Sequence, residues 1–135
     1  MLKFLNISNI AVIEHAEIEF SNGFNVLTGE TGAGKSILID SINAVLGERT
    51  SRSIIRTGCS RASVSAVFEN VDDEIMSLLI EMGYEPEEDG SILIQRVISS
   101  DGKSSCRICG IPAAASTVKD IAARLISIHG QHDSQ

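Results

Sequence analysis

No stretch of this 135-residue chain approaches the roughly 20 consecutive apolar residues that a membrane-spanning helix needs. Its first residues, Met1-Leu2-Lys3-Phe4-Leu5-Asn6, lack the long apolar core and small-residue cleavage site of an export signal, so a cytosolic protein without a membrane partner is expected. Cysteine is scarce and odd in number: Cys59, Cys106 and Cys109 argue for reduced thiols rather than a disulfide framework. Cys106-Arg107-Ile108-Cys109 would be half of a zinc site only if His129 and His132 supplied the rest, and nothing else follows metal-ligand spacing. Positive charge is short as well. A net charge of -7 excludes a domain that coats nucleic acid by bulk electrostatics. The deficit is uneven, because residues 49 to 66 carry Arg49, Arg52, Arg56 and Arg61 with no acid, whereas residues 67 to 95 carry nine acids and no base. A solvated face is the ordinary meaning of either run, and a local basic edge is the other. Repeats, low-complexity stretches and interdomain linkers are missing too.

With 43% hydrophobic and 21% charged residues, the chain has the composition of one globular domain with a real core. Alternation predicts strands over Leu2 to Ile10 and Ile13 to Phe20, a turn at Ser21-Asn22-Gly23, and a short apolar strand at Phe24-Asn25-Val26-Leu27-Thr28. Ile37, Leu38, Ile39, Ile42, Val45 and Leu46 cover more than one helical stripe, which predicts a helix buried on most of its circumference and ending at Gly47. A strand is expected over Ala62 to Glu69. An amphipathic helix should follow, opened by Asp72-Asp73-Glu74 and closed by Gly83. Ile92 to Ser99 and Ser104 to Ile108 read as a hairpin, Pro112 as the first turn of a helix running to about Leu125, and Leu125-Ile126-Ser127-Ile128 as a closing apolar strand.

The chemistry is concentrated in Gly29-Glu30-Thr31-Gly32-Ala33-Gly34-Lys35-Ser36, which matches G-x-x-x-x-G-K-[ST]. Small residues let backbone N–H groups wrap phosphates, the lysine reaches the β- and γ-phosphates, and the hydroxyl ligates Mg²⁺. An apolar strand before the loop and a helix opening at Lys35 are the context that the motif requires. The expected nucleotide contacts are therefore Gly29, Glu30, Thr31, Gly32, Ala33, Gly34, Lys35, Ser36 and Ile37, with Ser36 on Mg²⁺ and Glu30 turned away from the phosphates by its charge. Phosphate binding does not name a reaction, since kinases, GTPases, motors and ABC-type ATPases share the loop. A hydrolase also needs an acid at the end of a second apolar strand. Val71-Asp72-Asp73 fits the start of a helix better, so that acid is missing here. A chain ending at His129-Gly130-Gln131-His132-Asp133-Ser134-Gln135 is expected to be a fragment, residues 1–135 forming the amino-terminal portion of a larger head.

Asn9-Ile10-Ala11-Val12-Ile13 together with the run from Phe20 through the glycine-rich loop to Asp40 closely resembles the amino terminus of the RecN-type DNA double-strand-break repair ATPases of the SMC group. Ile128-His129-Gly130-Gln131-His132 looks like that family's Q-loop. The resemblance implies an α/β P-loop lobe of ABC/SMC type, with a mixed sheet around the P-loop helix and an antiparallel β region. It also implies ATP and Mg²⁺ as ligands, with Lys35 and Gln131 in catalysis and Gln131 near Mg²⁺ and the γ-phosphate. Its implied partners are DNA, a second head that sandwiches ATP, and a carboxy-terminal head portion carrying the signature motif and acids. The location would be cytoplasmic, with the nucleoid. Arg49 falls where such heads place an arginine near nucleotide or DNA, and Cys109-Gly110 stands where the family has an asparagine-glycine turn, leaving Cys109 to core packing. An ABC transporter ATPase subunit, a myosin-like motor and a non-catalytic nucleotide-binding or dimerisation module are the alternatives. Heptad repeats beyond residue 135 would mark SMC and a compact helical subdomain a transporter.

Overall fold

A computed structural model of the chain describes residues 2–20, 32–50 and 52–133; for 32–35, 52 and 126–133 the description is of backbone alone. Six strands form one sheet: β1 (Leu2–Ile10), β2 (Ile13–Glu19), β3 (Arg61–Phe68), β4 (Ile92–Ser99), β5 (Ser104–Ile108) and β6 (Ile111–Ala113). Their order is β2-β1-β3-β4-β5-β6, and every pairing is antiparallel. This sheet is the antiparallel β region expected from the sequence, while the expected strand over Phe24 to Thr28 lies outside the described residues.

Strict alternation sorts the strands into two faces. In β3 every second residue from Ala62 to Phe68 is buried, and in β4 Ile92, Ile94, Arg96 and Ile98 are buried between half-buried neighbours. The inward rows join residues of three helices, α1 (Gly32–Val45), α2 (Asp73–Glu81) and α3 (Ala115–Asp133), in a single core. Fully buried Leu5, Ile7, Leu79, Ile94 and Ile121 are at its centre, each contributing about 1.5–3 kcal/mol through the apolar surface it removes from water.

α1 is buried on one side only. Ile37, Leu38, Ser41, Ala44 and Val45 face the sheet, whereas Ser36, Ile39, Asp40 and Asn43 are exposed, so the expectation of a mostly buried helix is corrected. Ile39 is 53% exposed because no element among the described residues covers that side. α2 is the amphipathic helix expected, with Asp73 and Glu74 favourably placed at the positive end of its dipole and Ile75 and Leu79 buried.

Two further expectations fail near the end. Pro112 belongs to β6 and pairs with Arg107, not to a helix. β6 is an edge strand, where a residue without an N–H costs no interior ladder bond. Leu125 to Ile128 is not a strand, because α3 starts at Ala115 and runs through it to Asp133. These four residues are too few for a helix of their own but continue the turns that begin at Ala115.

Candidate nucleotide-binding site

The described part of the glycine-rich motif is the opening of α1. The helix begins at Gly32, three residues before the expected start at Lys35, so Gly32-Ala33-Gly34-Lys35 forms its first turn. N–H groups of a first helical turn have no partner within the helix and carry the positive end of its dipole. The first turn holds no acidic residue to compete for them. Ser36 is exposed on the next turn, and Ile37 turns its side chain into the core. Gly29, Glu30 and Thr31 lie outside the described residues.

The opposite end of α1 is closed in detail. Gly47, at φ +92°, donates to the Ala44 carbonyl (3.2 Å), and Glu48 N–H reaches back to the Asn43 carbonyl (3.1 Å). These two bonds form a Schellman motif with glycine at its left-handed position. A Cβ at Gly47 would lie 2.7 Å from the Ala115 carbonyl oxygen and 2.7 Å from the Lys119 nitrogen, so the glycine also admits the start of α3. No basic residue occupies the last turn of α1. The charge comes instead from β4: Arg96, only 5% exposed, donates through Nη1 to the carbonyls of Ala44 (2.8 Å) and Glu48 (2.7 Å), and through Nη2 to Ser104 Oγ (3.3 Å). A cation on the last carbonyls complements the negative end of the helix. Sequence reasoning missed Arg96, although a base in the otherwise apolar inward row Ile92, Ile94, Ile98 was its visible signal.

Cys106 pairs with Arg96 across the β4–β5 ladder and is buried. Burial pushes its thiol up, partly opposed by the Arg96 charge, and burial likewise raises Cys109. Cys109 lies just past the end of β5, at the turn position that the sequence reading gave it. It forms with Gly110 the two-residue turn between β5 and β6, both at positive φ (52° and 83°), a type I′ turn. Its side chain is half-buried against the core, which agrees with a packing role.

Arg49 is exposed and lines a cleft of about 530 Å³ with Asp40, Asn43, Glu48, Thr50 and Ile54. At 1.5 Å per residue, α1 carries the chain about 20 Å from its first turn before Arg49 is reached. The structure therefore separates Arg49 from the phosphate end of its own helix. Gln131 lies on α3, two residues from its end, and its side chain is outside the description. Among the described residues no group of three or more His, Cys, Asp or Glu side chains could hold a metal ion.

Comparison with known proteins places these features in a family. The chain is 39% identical over 137 residues to the DNA repair protein RecN of Haemophilus influenzae, covering 100% of this chain and 25% of that protein. Against RecN of Bacillus subtilis it is 39% identical over 136 residues, covering 100% of this chain and 23% of the relative. The chain thus spans about a quarter of the length of these relatives, at their amino-terminal end. Among solved structures, one from a study of ATP-driven dimerisation and DNA-stimulated activation of SMC ATPases superimposes with a TM-score of 0.72 at 26% identity, covering 92% of this chain and 80% of that one. The fold is that of an SMC-type head lobe. A family model described as an AAA domain matches residues 5–129, nearly the whole chain, and the chain belongs to that family.

Proposed function

We propose that this chain is the ATP-binding lobe of a RecN-like ATPase of the SMC group that acts in DNA double-strand-break repair and recombination, in the cytoplasm with the nucleoid. The observation that carries the reading is the phosphate-loop sequence Gly29 to Ser36 running into the acid-free first turn of α1. Backbone N–H groups from Gly29 to Lys35 would hold the β- and γ-phosphates, Lys35 would add its charge, and Ser36 would offer its exposed hydroxyl to Mg²⁺. Bound Mg²⁺ supplies charge neutralisation to the triphosphate. Gln131 would complete the metal and γ-phosphate side.

Two features support a site completed by other parts. No acid follows a second apolar strand in this sequence, and the relatives are about four times longer than the chain. The exposed side of α1, with Ile39 and Asp40, suits a carboxy-terminal head portion that would bring the signature motif and the acids. The similar SMC ATPase structure comes from work on ATP-driven dimerisation. A second head is accordingly the partner that closes over ATP here.

The test is a titration of ATP and ADP with Mg²⁺ against the wild-type chain and Lys35→Ala. Wild type should bind at least about tenfold more tightly, since a charged hydrogen-bond partner contributes about 1.5–3 kcal/mol. Matching curves would remove the central claim. Turnover by the isolated chain should be negligible, and hydrolysis at the rate of an intact head would show that no second part is needed.

A further inference from the structure

Arg96 is the one charged side chain that the core buries among the described residues. Its Nη1 donates to the Ala44 and Glu48 carbonyls and its Nη2 to Ser104 Oγ, all neutral groups, while the buried Nε has no hydrogen-bond partner. The carboxylate of Glu48 is turned elsewhere, with Oε1 3.5 Å from Lys119 Nζ on α3. A buried cation answered only by dipoles loses more hydration than an exposed one. Neutralising the helix dipole does not require that cost. A lysine or arginine in the last turn of α1 would do it from solvent, and that turn carries no base. What a base on the sheet adds is attachment, because it fixes the end of α1 to another element.

Along its axis α1 needs such an attachment. Its buried side is an apolar stripe of Ile37, Leu38, Ala44 and Val45, and apolar burial is non-directional. The stripe presses the helix onto the sheet without fixing where along the sheet it rests. Ser41, buried in the same stripe, commits its hydroxyl to the Ile37 carbonyl of its own helix (2.8 Å). Hydrogen bonds from Arg96 are directional and weaken steeply as their geometry fails. They take one carbonyl from the last turn of α1 and one from beyond Gly47, where α3 packs closely. A slip at this end of the 14-residue helix would reappear undiminished at its first turn, about 20 Å away at 1.5 Å per residue. We propose that Arg96 is a positioning residue of the nucleotide site: by holding α1 at its far end, it sets the height at which the first-turn N–H groups of Gly32 to Lys35 meet the phosphates. The inference rests on the reading that the phosphate loop binds ATP.

The experiment uses the whole protein and follows Mg²⁺-ATP binding by equilibrium titration, at a temperature where each variant keeps the wild-type circular dichroism spectrum. Arg96→Met should raise the dissociation constant by about tenfold, since a misplacement of about 1 Å imposed from afar has an effect of that order or larger. Arg96→Lys keeps a charged donor for the two carbonyls but not the fork that also meets Ser104. Its dissociation constant should lie between the two, about threefold above wild type. Leu79→Ala is the control for lost stability. It truncates a fully buried side chain of α2, with a stability loss of the same order as that of Arg96→Met, and should bind Mg²⁺-ATP as wild type does. Arg96→Lys carries the test alone if Arg96→Met does not fold. Wild-type affinity in either Arg96 variant overturns the proposal, and so does a loss in Leu79→Ala as large as theirs. Failure of wild type to bind Mg²⁺-ATP overturns the nucleotide reading itself.

Discussion

α1 and α2 end in the same local conformation and differ in everything around it. Both close on a left-handed glycine, Gly47 at φ +92° and Gly83 at φ +97°, with the same pair of backward hydrogen bonds: Gly47 to Ala44 and Glu48 to Asn43, Gly83 to Ile80 and Tyr84 to Leu79. A Cβ at Gly83 would meet nothing within 4 Å, whereas at Gly47 it would collide with the backbone of α3. The α1 cap also takes up a buried guanidinium from β4. One cap ends a surface helix, and the other anchors the helix that opens on the phosphate loop. The difference teaches that a capping glycine can be read locally, while its weight in the structure depends on what packs over it.

Substitution at the two caps tests the comparison most directly. Gly47→Ala should cost about 4 kcal/mol or more in chemical denaturation, because the left-handed strain adds to overlap with main-chain atoms that cannot rotate away. A cost near that of the α2 cap would show that α3 yields, and the contrast would collapse. Arg96→Met, which keeps most of the side-chain bulk, should cost about 3 kcal/mol by leaving the Ala44 and Glu48 carbonyls without their buried donor. It should also weaken Mg²⁺-ATP binding if α1 is held in place from this end. Gly83→Ala should cost only about 1–2 kcal/mol, the strain alone.

A third left-handed position sharpens the argument from the other direction. Cys109→Asn should stabilise the chain by about 0.5 kcal/mol, since asparagine tolerates positive φ in a type I′ turn better than cysteine does. A loss instead would show that the half-buried thiol packs for more than its backbone strain costs. The smallest effect concerns pH. Asp89 is held below the ordinary carboxylate range because its carboxylate accepts from the Ser91 hydroxyl (2.7 Å) and N–H (3.0 Å). A lowered folded-state pKa contributes stability above the unfolded value and loses it as pH falls through the folded one. The melting difference between wild type and Asp89→Asn should therefore be present at neutral pH and close below about pH 4.

Much of the fold was legible because strands and caps announce themselves locally. β1, β4 and β5 have the bounds that alternation predicts, and Gly47 and Gly83 both stop helices. The end of the chain was misread where local signals conflict. Pro112 suits a first helical turn as well as an edge strand, and only the pairing with Arg107 decides between them. Of the candidate site, a helix opening within the glycine-rich motif was legible, although at Lys35 rather than Gly32, whereas Arg96 was not, since a lone arginine in a strand does not name the carbonyls it will meet 48 and 52 residues away.

By itself the sequence determined the phosphate-loop motif of Gly29 to Ser36, the two-faced strands and the stops at glycine, because each follows from neighbours within a few residues. Only the tertiary structure decided that Gly47 must be small for α3 to approach and that Arg96 closes the far end of α1. Those are contacts between residues far apart in the chain, and strand register and helix packing create them where composition and spacing cannot.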